Sequence, residues 1–356
     1  MARTKGLGFG GFLIGIGLGW LFFTNMTVSA DLIAWIMILA GGAIVASSLL
    51  SRMNPGLPLT GAITWFTLGL IIALLVVSGP SQIITGGFDS GIYPVTMGGT
   101  MNFSGQATAQ DILFEVENVN GGLEVETWSR DEYDLNITVK ARGTSQSDAE
   151  SAFEKVDVTL DESTVGGRLE LVLTVNVPRL TWRRVTVSMV LTLPSDAIID
   201  LDVTTVNGGL SAAQLSGGDI RLTTTNGDIV LDHVNANSVR GSTTNGRVTG
   251  TVGVEEMTAS TVNGAIDLTI PPTRDGSYDL GATNGNVDVE LDRIPDVGYS
   301  LIGRTTNGRV TFDVSGLDYD VDTSRHKEAE TSGYSTKAIQ IQIKASTTNG
   351  AVYIGS

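Results

Sequence analysis

The feature that most constrains the fold of this chain is a dipeptide, Asn-Gly, that recurs throughout its C-terminal part. From the second occurrence onward, successive asparagines are 19, 19, 18, 21, 23 and 42 residues apart, and the last gap is close to two units of 21. A period near 20 predicts repeated units that each pack on their neighbours. The asparagines are Asn120, Asn207, Asn226, Asn245, Asn263, Asn284, Asn307 and Asn349.

Apolar residues alternate with polar ones at fixed distances from each Asn-Gly. The second residue after the glycine is Leu, Ile or Val in every unit from Asn207 onward. The sixth residue before the asparagine is Leu, Ile, Val, Met or Tyr. This period of two on both sides of a turn predicts two short strands per unit, each with one buried face.

Stacked coils explain these columns better than separate hairpins do. In a parallel β-helix of about 20 residues per coil, like residues lie above like, so asparagine amides can form a hydrogen-bonded ladder. The glycine beside each asparagine is expected to take the positive φ of a corner. A sandwich of antiparallel hairpins on the same turns is the alternative. The predicted ladder contains Asn207, Asn226, Asn245, Asn263, Asn284, Asn307 and Asn349.

The segments before the main repeat differ from it. Residues 111–194 carry longer alternating runs and a single Asn-Gly, which favours an antiparallel β cap over the open end of the solenoid. Residues 80–110 are rich in Gly, Ser and Thr and are interpreted as a flexible linker. Residues 195–356 form the predicted Asn-Gly repeat β-helix, from which residues 316–336 are expected to project as a loop.

The repeat and the strand before it resemble a known family. Val185–Pro194 alternates and ends in proline, and it leads into the strand–Asn-Gly–strand units at Leu201–Gly208 and Ile220–Leu231. This pattern resembles the β-strand-repeat family of candidate adhesins over roughly residues 112–356. The resemblance implies a β-helical domain attached to the surface of bacterial or archaeal cells, with no catalytic residues. Many members have one membrane span, so three would be a departure from the family pattern.

The N-terminal head is almost free of charge. Its first 88 residues hold four charged side chains, and three apolar stretches run from about 7–23, 32–50 and 59–78. Each stretch is long enough for a transmembrane helix, which needs roughly 17–25 residues. The sequence therefore predicts a three-span membrane anchor over residues 1–79, followed by an all-β body.

Basic residues predict the orientation of this anchor. Arg3 and Lys5 precede the first span, Arg52 lies between the second and third, and the next basic residue is Arg130. Because basic loops stay in the cytoplasm, the N-terminus is expected inside the cell and the β body outside. The alternative is that the first span is a signal peptide cleaved after residues 28–30, which also places the body outside.

Small residues form a stripe along the first span. Gly11, Gly15 and Gly19 recur at every fourth position, a spacing that lets another helix approach closely. We expect this stripe to pack against the other two spans, or against a second copy of the chain in a homo-oligomer.

The charge of the body excludes several classes of function. Removing the four charges of the head from the totals of 38 acids and 22 bases leaves 37 acids and 19 bases, a net charge of −18. Such a surface argues against nucleic-acid binding, which needs clustered Lys and Arg. The chain has no cysteine and two histidines, so thiolate chemistry is excluded and metal chemistry is disfavoured. No cofactor is expected.

Three small groups of residues are candidates for local chemistry. Asp267, Asp288 and Glu290 would cluster on neighbouring coils, in the manner of β-helix enzymes that act on polysaccharides. In an extended segment Asp318, Asp320 and Asp322 would share one face and could hold calcium, although an EF-hand glycine and glutamate are missing. Solvated acidic surfaces are the simpler interpretation of both groups. Glycosylation sequons begin at Asn25, Asn102 and Asn136.

These observations predict a non-catalytic, extracytoplasmic β-helix held in the cell membrane, which contacts lipid through its anchor. Its expected role is adhesion to a surface glycan or protein, or a structural role in the envelope. The alternative is a signalling or envelope-stress component whose transmembrane head contacts other membrane proteins. A carbohydrate-active enzyme is the more distant alternative.

Overall fold

The computed structural model describes residues 93–292, 294 and 296–355. This part of the chain has 22 strands and one α-helix, α1 (Gln146–Phe153), and short 3-10 turns cover Trp182–Arg184 and Tyr334–Thr336. The strands are β1 (Val95–Gln106), β2 (Asp111–Glu117), β3 (Leu123–Trp128), β4 (Glu132–Gly143), β5 (Asp157–Val165), β6 (Arg168–Asn176), β7 (Val185–Pro194), β8 (Ile198–Asn207), β9 (Leu210–Ala213), β10 (Ser216–Asn226), β11 (Ile229–Asn245), β12 (Val248–Val252), β13 (Glu256–Asn263), β14 (Ile266–Ile270), β15 (Gly276–Asn284), β16 (Val287–Leu291), β17 (Val297–Asn307), β18 (Val310–Asp313), β19 (Leu317–Asp322), β20 (His326–Thr331), β21 (Ile339–Asn349) and β22 (Val352–Gly355).

The predicted membrane anchor is not part of this description. Across the described ranges, no helix has the length and apolar character that crossing a bilayer requires. The three predicted spans, the stripe of Gly11, Gly15 and Gly19, and Asn25 all lie outside the described residues.

Residues 97–141 and 150–355 form one compact unit built as a parallel solenoid. Each coil has one strand before a turn and one after it, and the turn is Asn-Gly except in the coil of β6 and β7. The strands therefore fall into two sheets, which we call the upstream sheet and the downstream sheet. Strand β11 turns a corner and belongs to both. The upstream sheet runs β5-β6-β2-β8-β10-β11-β13-β15-β21-β17-β20-β19, and the downstream sheet runs β1-β4-β7-β3-β9-β11-β12-β14-β16-β22-β18.

Apolar columns fill the space between the two sheets. In β10, Ile220 and Leu222 are buried and alternate with outward polar residues, and in the following strand Ile229 and Leu231 are fully buried. The register is parallel, with Ile220 beside Leu201 on one side and Val239 on the other. The predicted parallel β-helix is therefore confirmed for the coils from β8 to β18 and for β21 and β22, and the hairpin sandwich is not observed for these coils.

The order of the coils in space differs from their order in the chain. The last coil, β21 and β22, lies between the coil of β15 and β16 and the coil of β17 and β18. The same happens at the other end, where β2 and β3 lie between the coil of β6 and β7 and the coil of β8 and β9. At each end, a coil near a terminus of the body is thus paired on both sides.

This arrangement changes the interpretation of residues 111–194. The prediction of an antiparallel cap is correct for two pairings, β4 with β7 and β5 with β6. It is wrong for β2, β3, β6 and β7, which join the solenoid in parallel. The reason is that their inward residues, such as Ile112 and Phe114, continue the core of the coils.

Two further segments also differ from expectation. Residues 95–106 of the predicted flexible linker form β1, which pairs with β4 and packs Met101 and Phe103 against the core. Most of the predicted projecting loop, residues 316–336, is the hairpin of β19 and β20, and β20 pairs antiparallel with β17. In both cases the segment adds strands to the edge of an existing sheet.

Side-chain hydrogen bonds of residues 144–148 define the start of α1. Ser145 caps the helix because its Oγ accepts a hydrogen bond of 3.2 Å from the Asp148 amide. The Asp148 carboxylate in turn accepts one of 2.9 Å from the Thr144 amide. Reciprocal bonds of this kind fix where a helix begins.

Candidate functional site

The predicted asparagine ladder runs along one edge of the solenoid. Each Asn Nδ2 donates to the Oδ1 of the asparagine on the neighbouring coil, over distances of 2.6–2.9 Å. Asn120 adds a rung that we did not predict, and its own amide donates to the Trp182 carbonyl. In order of stacking, the ladder is Asn120, Asn207, Asn226, Asn245, Asn263, Asn284, Asn349 and Asn307.

Replacing one asparagine in the middle of this ladder should destabilise the body measurably. Asn245→Ala removes a bond donated to Asn226 and one accepted from Asn263, each 2.8 Å long. The ladder is exposed, so water can replace part of what these two bonds contribute. We therefore expect a loss of about 1–2 kcal/mol in the free energy of unfolding. Urea denaturation of residues 89–356 measures it, and a loss below about 0.3 kcal/mol would show that the ladder adds no stability.

The glycines of the ladder are needed for a reason that differs from the prediction. The glycines that follow Asn207 and the later asparagines do not have the positive φ expected of a corner; among the Asn-Gly pairs, only Gly121 does. Instead, each lies directly over the carbonyl oxygen of the equivalent glycine on the next coil. A Cβ atom on Gly246 would lie 1.9 Å from the Gly227 oxygen, and one on Gly285 would lie 1.6 Å from the Gly264 oxygen.

A buried threonine column supports the same edge from inside. Two residues before the asparagine, Thr243 donates from Oγ1 to the Gly227 carbonyl over 2.9 Å, and Thr261 donates to the Gly246 carbonyl over 2.8 Å. Neither side chain is more than 4% exposed. Ala282 occupies this column in the coil of Asn284 and has no hydroxyl to offer.

Restoring the missing threonine should stabilise the body. Ala282→Thr places a hydroxyl where its neighbours reach a glycine carbonyl, here that of Gly264. We expect a gain of about 1 kcal/mol in the free energy of unfolding. Ala282→Val is the control because it has the same shape without the hydroxyl. Equal stability of the two variants would show that no hydrogen bond forms.

The predicted acidic cluster lies on the outer face of the downstream sheet. Asp267 and Asp288 are direct neighbours on β14 and β16, as the columns predict. Partial burial and the nearby Asp267 carboxylate raise the pKa of Asp288. The next neighbour of Asp288 is Tyr353, because the last coil is inserted there. Glu290 lies in the adjacent column, beside Gly355.

Like charges on neighbouring strands give a pH-dependent prediction. The folded state favours protonated Asp288, so this carboxyl stabilises the fold below the ordinary pKa of aspartate, near 4, and the effect is lost as pH rises through its raised pKa. Asp288→Asn should therefore stabilise the body at pH 7 by about 0.5 kcal/mol and not at pH 3. Chemical denaturation at both pH values measures this, and an equal effect at both would contradict the assignment.

The calcium candidates do not come together as a metal site. In β19, Asp322 pairs with Lys327, and Asp318 accepts a 3.0 Å hydrogen bond from Ser332. Among the described residues, no group of three His, Cys, Asp or Glu has the geometry to hold a metal ion. Asp320 is exposed on the same strand. The sequon residues Asn102 and Asn136 are both exposed, on β1 and β4.

The outer face of the upstream sheet carries a feature that sequence reasoning missed. A groove of about 390 Å³ crosses it, and two of its three arginines are paired: Arg168 contacts Asp200, and Arg221 lies 3.9 Å from Asp202. Beside the groove is a row of hydroxyl side chains in register on successive coils, which we call the hydroxyl row. Its members are Thr204, Thr223, Ser242 and Ser260.

Residues 110–354, which form the stacked two-strand coils, match the family model described as Toastrack DUF4097. The chain belongs to the Toastrack DUF4097 family. The match covers the solenoid from β2 to β22, so the resemblance to an adhesin-like β-repeat family is confirmed. We call residues 110–354 the Toastrack domain.

Three solved structures have a distant likeness to the chain. A candidate cell adhesion protein from Clostridium sporogenes is 11% identical, with 73% of this chain and 99% of that chain covered and a TM-score of 0.39. A candidate adhesin from Bacteroides fragilis is 9% identical, with 72% and 97% covered and a TM-score of 0.32. One from Parabacteroides distasonis is 10% identical, with 72% and 97% covered and a TM-score of 0.31. No curated protein matches the chain.

Proposed function

We propose that this protein is a membrane-anchored surface module whose Toastrack domain acts outside the cell by contact, in adhesion or envelope structure, and not by catalysis. The observation that carries the proposal is the periodic outer face of the upstream sheet. Its hydroxyl row repeats once per coil, at the strand spacing of about 4.8 Å. A face that repeats in this way suits a ligand that also repeats, and a linear glycan is the class that we favour.

Hydrogen bonding within the row supports this choice. Ser260 Oγ donates to Ser242 Oγ over 3.0 Å, and the hydroxyls of the row remain partly exposed. Aligned hydroxyl groups can both donate to and accept from sugar hydroxyls. The groove beside the row is lined by four acidic and three basic side chains, so it does not impose a strong charge requirement on the ligand.

Attachment to the membrane rests on the sequence of the head. Three uncharged stretches of spanning length and the positions of Arg3, Lys5 and Arg52 support an anchor with the Toastrack domain outside. The domain's net negative charge is compatible with that placement, because acidic residues have little effect on topology.

Adhesion of cells that display the full chain tests the proposal. Replacing Thr223, Ser242 and Ser260 together by alanine should abolish attachment to glycan-coated surfaces, because three successive rungs of the row are lost. Replacing Thr249, Thr251 and Thr311 on the downstream sheet by alanine is the matched control. Equal attachment of both variants and the unchanged protein to every coated surface would refute the assignment of this face.

A signalling role is the second candidate, and the glycine stripe of the first span favours it. Gly11, Gly15 and Gly19 would allow close contact with another membrane protein or a second copy. Exchanging the head for one unrelated span separates the two functions. Adhesion should survive the exchange, whereas signalling should be lost.

Catalysis on glycans is the remaining alternative, and it depends on Asp267 and Asp288. Asp267→Asn and Asp288→Asn should leave any glycan-degrading activity of the preparation unchanged. A loss of activity in either variant, with the fold intact, would instead identify the pair as catalytic carboxylates.

A further inference from the structure

The turn between β6 and β7 is unlike the rest of this acidic domain. Residues 178–184 read Pro-Arg-Leu-Thr-Trp-Arg-Arg, and we call them the arginine turn. They hold three of the 19 basic residues of the body. Leu180 at the tip is 97% exposed, and Arg179 and Arg183 are exposed on either side of it.

The exposure of Leu180 is imposed by an ordered turn. The amides of Thr181 and Trp182 both donate to the Pro178 carbonyl, over 2.8 and 3.0 Å, and Thr181 Oγ1 donates to it over 3.0 Å. The asparagine ladder ends on this turn, because the Asn120 amide donates to the Trp182 carbonyl. The side chain at the tip is therefore held out in water by the solenoid itself.

Arg183 and Trp182 form a cation–π contact that suits the membrane interface. The guanidinium carbon of Arg183 lies 5.3 Å from the centre of the Trp182 ring. Tryptophan favours the boundary between lipid headgroups and acyl chains, and arginine binds phosphate through several donors. An apolar tip flanked by arginines, with an indole two residues along the chain, has the composition of a surface that enters the headgroup layer.

The arginine turn lies next to the C-terminal end of β4. Strand β7 begins directly after the turn, and Val185 pairs with Ala141 near the end of β4. Strand β1 runs antiparallel to β4, since Gly98 approaches Val139 and Gly105 approaches Tyr133. Gly98 of β1 and Val185, the residue that follows the arginine turn, therefore lie at the same end of β4.

We infer that the arginine turn docks on the anionic lipid surface of the membrane that holds the anchor, and so sets the orientation of the solenoid. Charge complementarity carries the choice of partner. The body has a net charge of −18 and is repelled by anionic headgroups, whereas the arginine turn is attracted to them. This inference rests on the proposed membrane anchoring.

The absence of cysteine from the chain allows a site-specific test. Leu180→Cys in the full chain is labelled with the environment-sensitive dye NBD, and the protein is reconstituted into vesicles of phosphatidylcholine with phosphatidylglycerol. Val165→Cys is the matched control: Val165 is 58% exposed, and it ends β5 beside the first residue of β6, about 30 Å away along that strand.

The dye at position 180 should shift to the blue and brighten in anionic vesicles, and the shift should reverse in high salt or in pure phosphatidylcholine. The dye at position 165 should not respond. Arg179→Ala or Arg183→Ala should each lower the ratio of docked to undocked turn by about fivefold.

Flotation of the same vesicles separates this inference from the proposed anchor. Protein that floats after carbonate washing but gives identical dye signals at both positions would overturn the docking of the turn and leave the anchor intact. A response at position 180 from protein that carbonate removes would support docking and refute the anchor. Protein that never floats would refute both.

Discussion

Gly246→Ala is expected to destabilise the body by at least about 3 kcal/mol, although it adds one methyl group. That methyl group would lie 1.9 Å from the Gly227 oxygen and 2.5 Å from its carbonyl carbon. Both atoms belong to the backbone of the next coil, so no side chain can move aside. Relief requires the coils to separate, which weakens the neighbouring rungs of the asparagine ladder.

The same coil offers a control for this substitution. An added Cβ on Gly241 would meet Val248 at 3.6 Å and Ile229 at 3.8 Å, which are ordinary contacts in the core. Gly241→Ala should therefore be neutral or stabilise the body by about 0.5–1 kcal/mol, because it also restricts the unfolded chain. Urea denaturation measures both variants. Similar stabilities would mean that the close stacking of the glycines is not what the ladder requires.

Removal of the last coil should abolish cooperative folding of the body. A chain that ends at residue 338 lacks β21 and β22, which are paired on both sides within the stack. The lost core residues Ile341, Ile343, Val352 and Ile354 are at most 1% exposed, and their burial contributes about 6–12 kcal/mol. This is comparable to the whole stability of an ordinary domain, about 5–15 kcal/mol.

Excision of the nearby hairpin is the matched control. Residues 317–331 form an edge of the upstream sheet, and the flanking Gly316 and Ser332 are joined by a 3.2 Å hydrogen bond, so the chain can be closed there. This variant should unfold cooperatively with a lower midpoint. If the truncated chain also unfolds cooperatively by circular dichroism, the last coil does not lie inside the stack.

The repeat allowed most of the coil structure to be predicted, because residues at the same distance from each Asn-Gly stack in one column, and that distance can be read from the sequence. The adjacency of Asp267 and Asp288 followed directly from these columns. The position of Asn349 between Asn284 and Asn307 could not be predicted, since equivalent coils have nearly equal sequences and any neighbour would satisfy the pattern. Tyr353 was missed beside the acidic pair for the same reason.

Other features depend on how closely the backbones of neighbouring coils approach each other, which a sequence does not show. The glycines of the ladder were expected to have positive φ, yet the constraint is the carbonyl of the next coil. Asn120-Gly121 was a visible sign that residues 111–128 belong to the stack, although the long alternating runs around it favoured a cap. The arginine turn gave a composition signal, but the outward position of Leu180 depends on the turn's hydrogen bonds.

Cysteine labelling of intact cells tests the central claim, display of the Toastrack domain outside the membrane, most directly. Ser315→Cys introduces a single thiol at an exposed turn of the body, and Ala2→Cys introduces one at the N-terminus. A membrane-impermeant maleimide should label position 315 without lysis and position 2 only after lysis. Labelling of position 315 only after lysis would contradict the account.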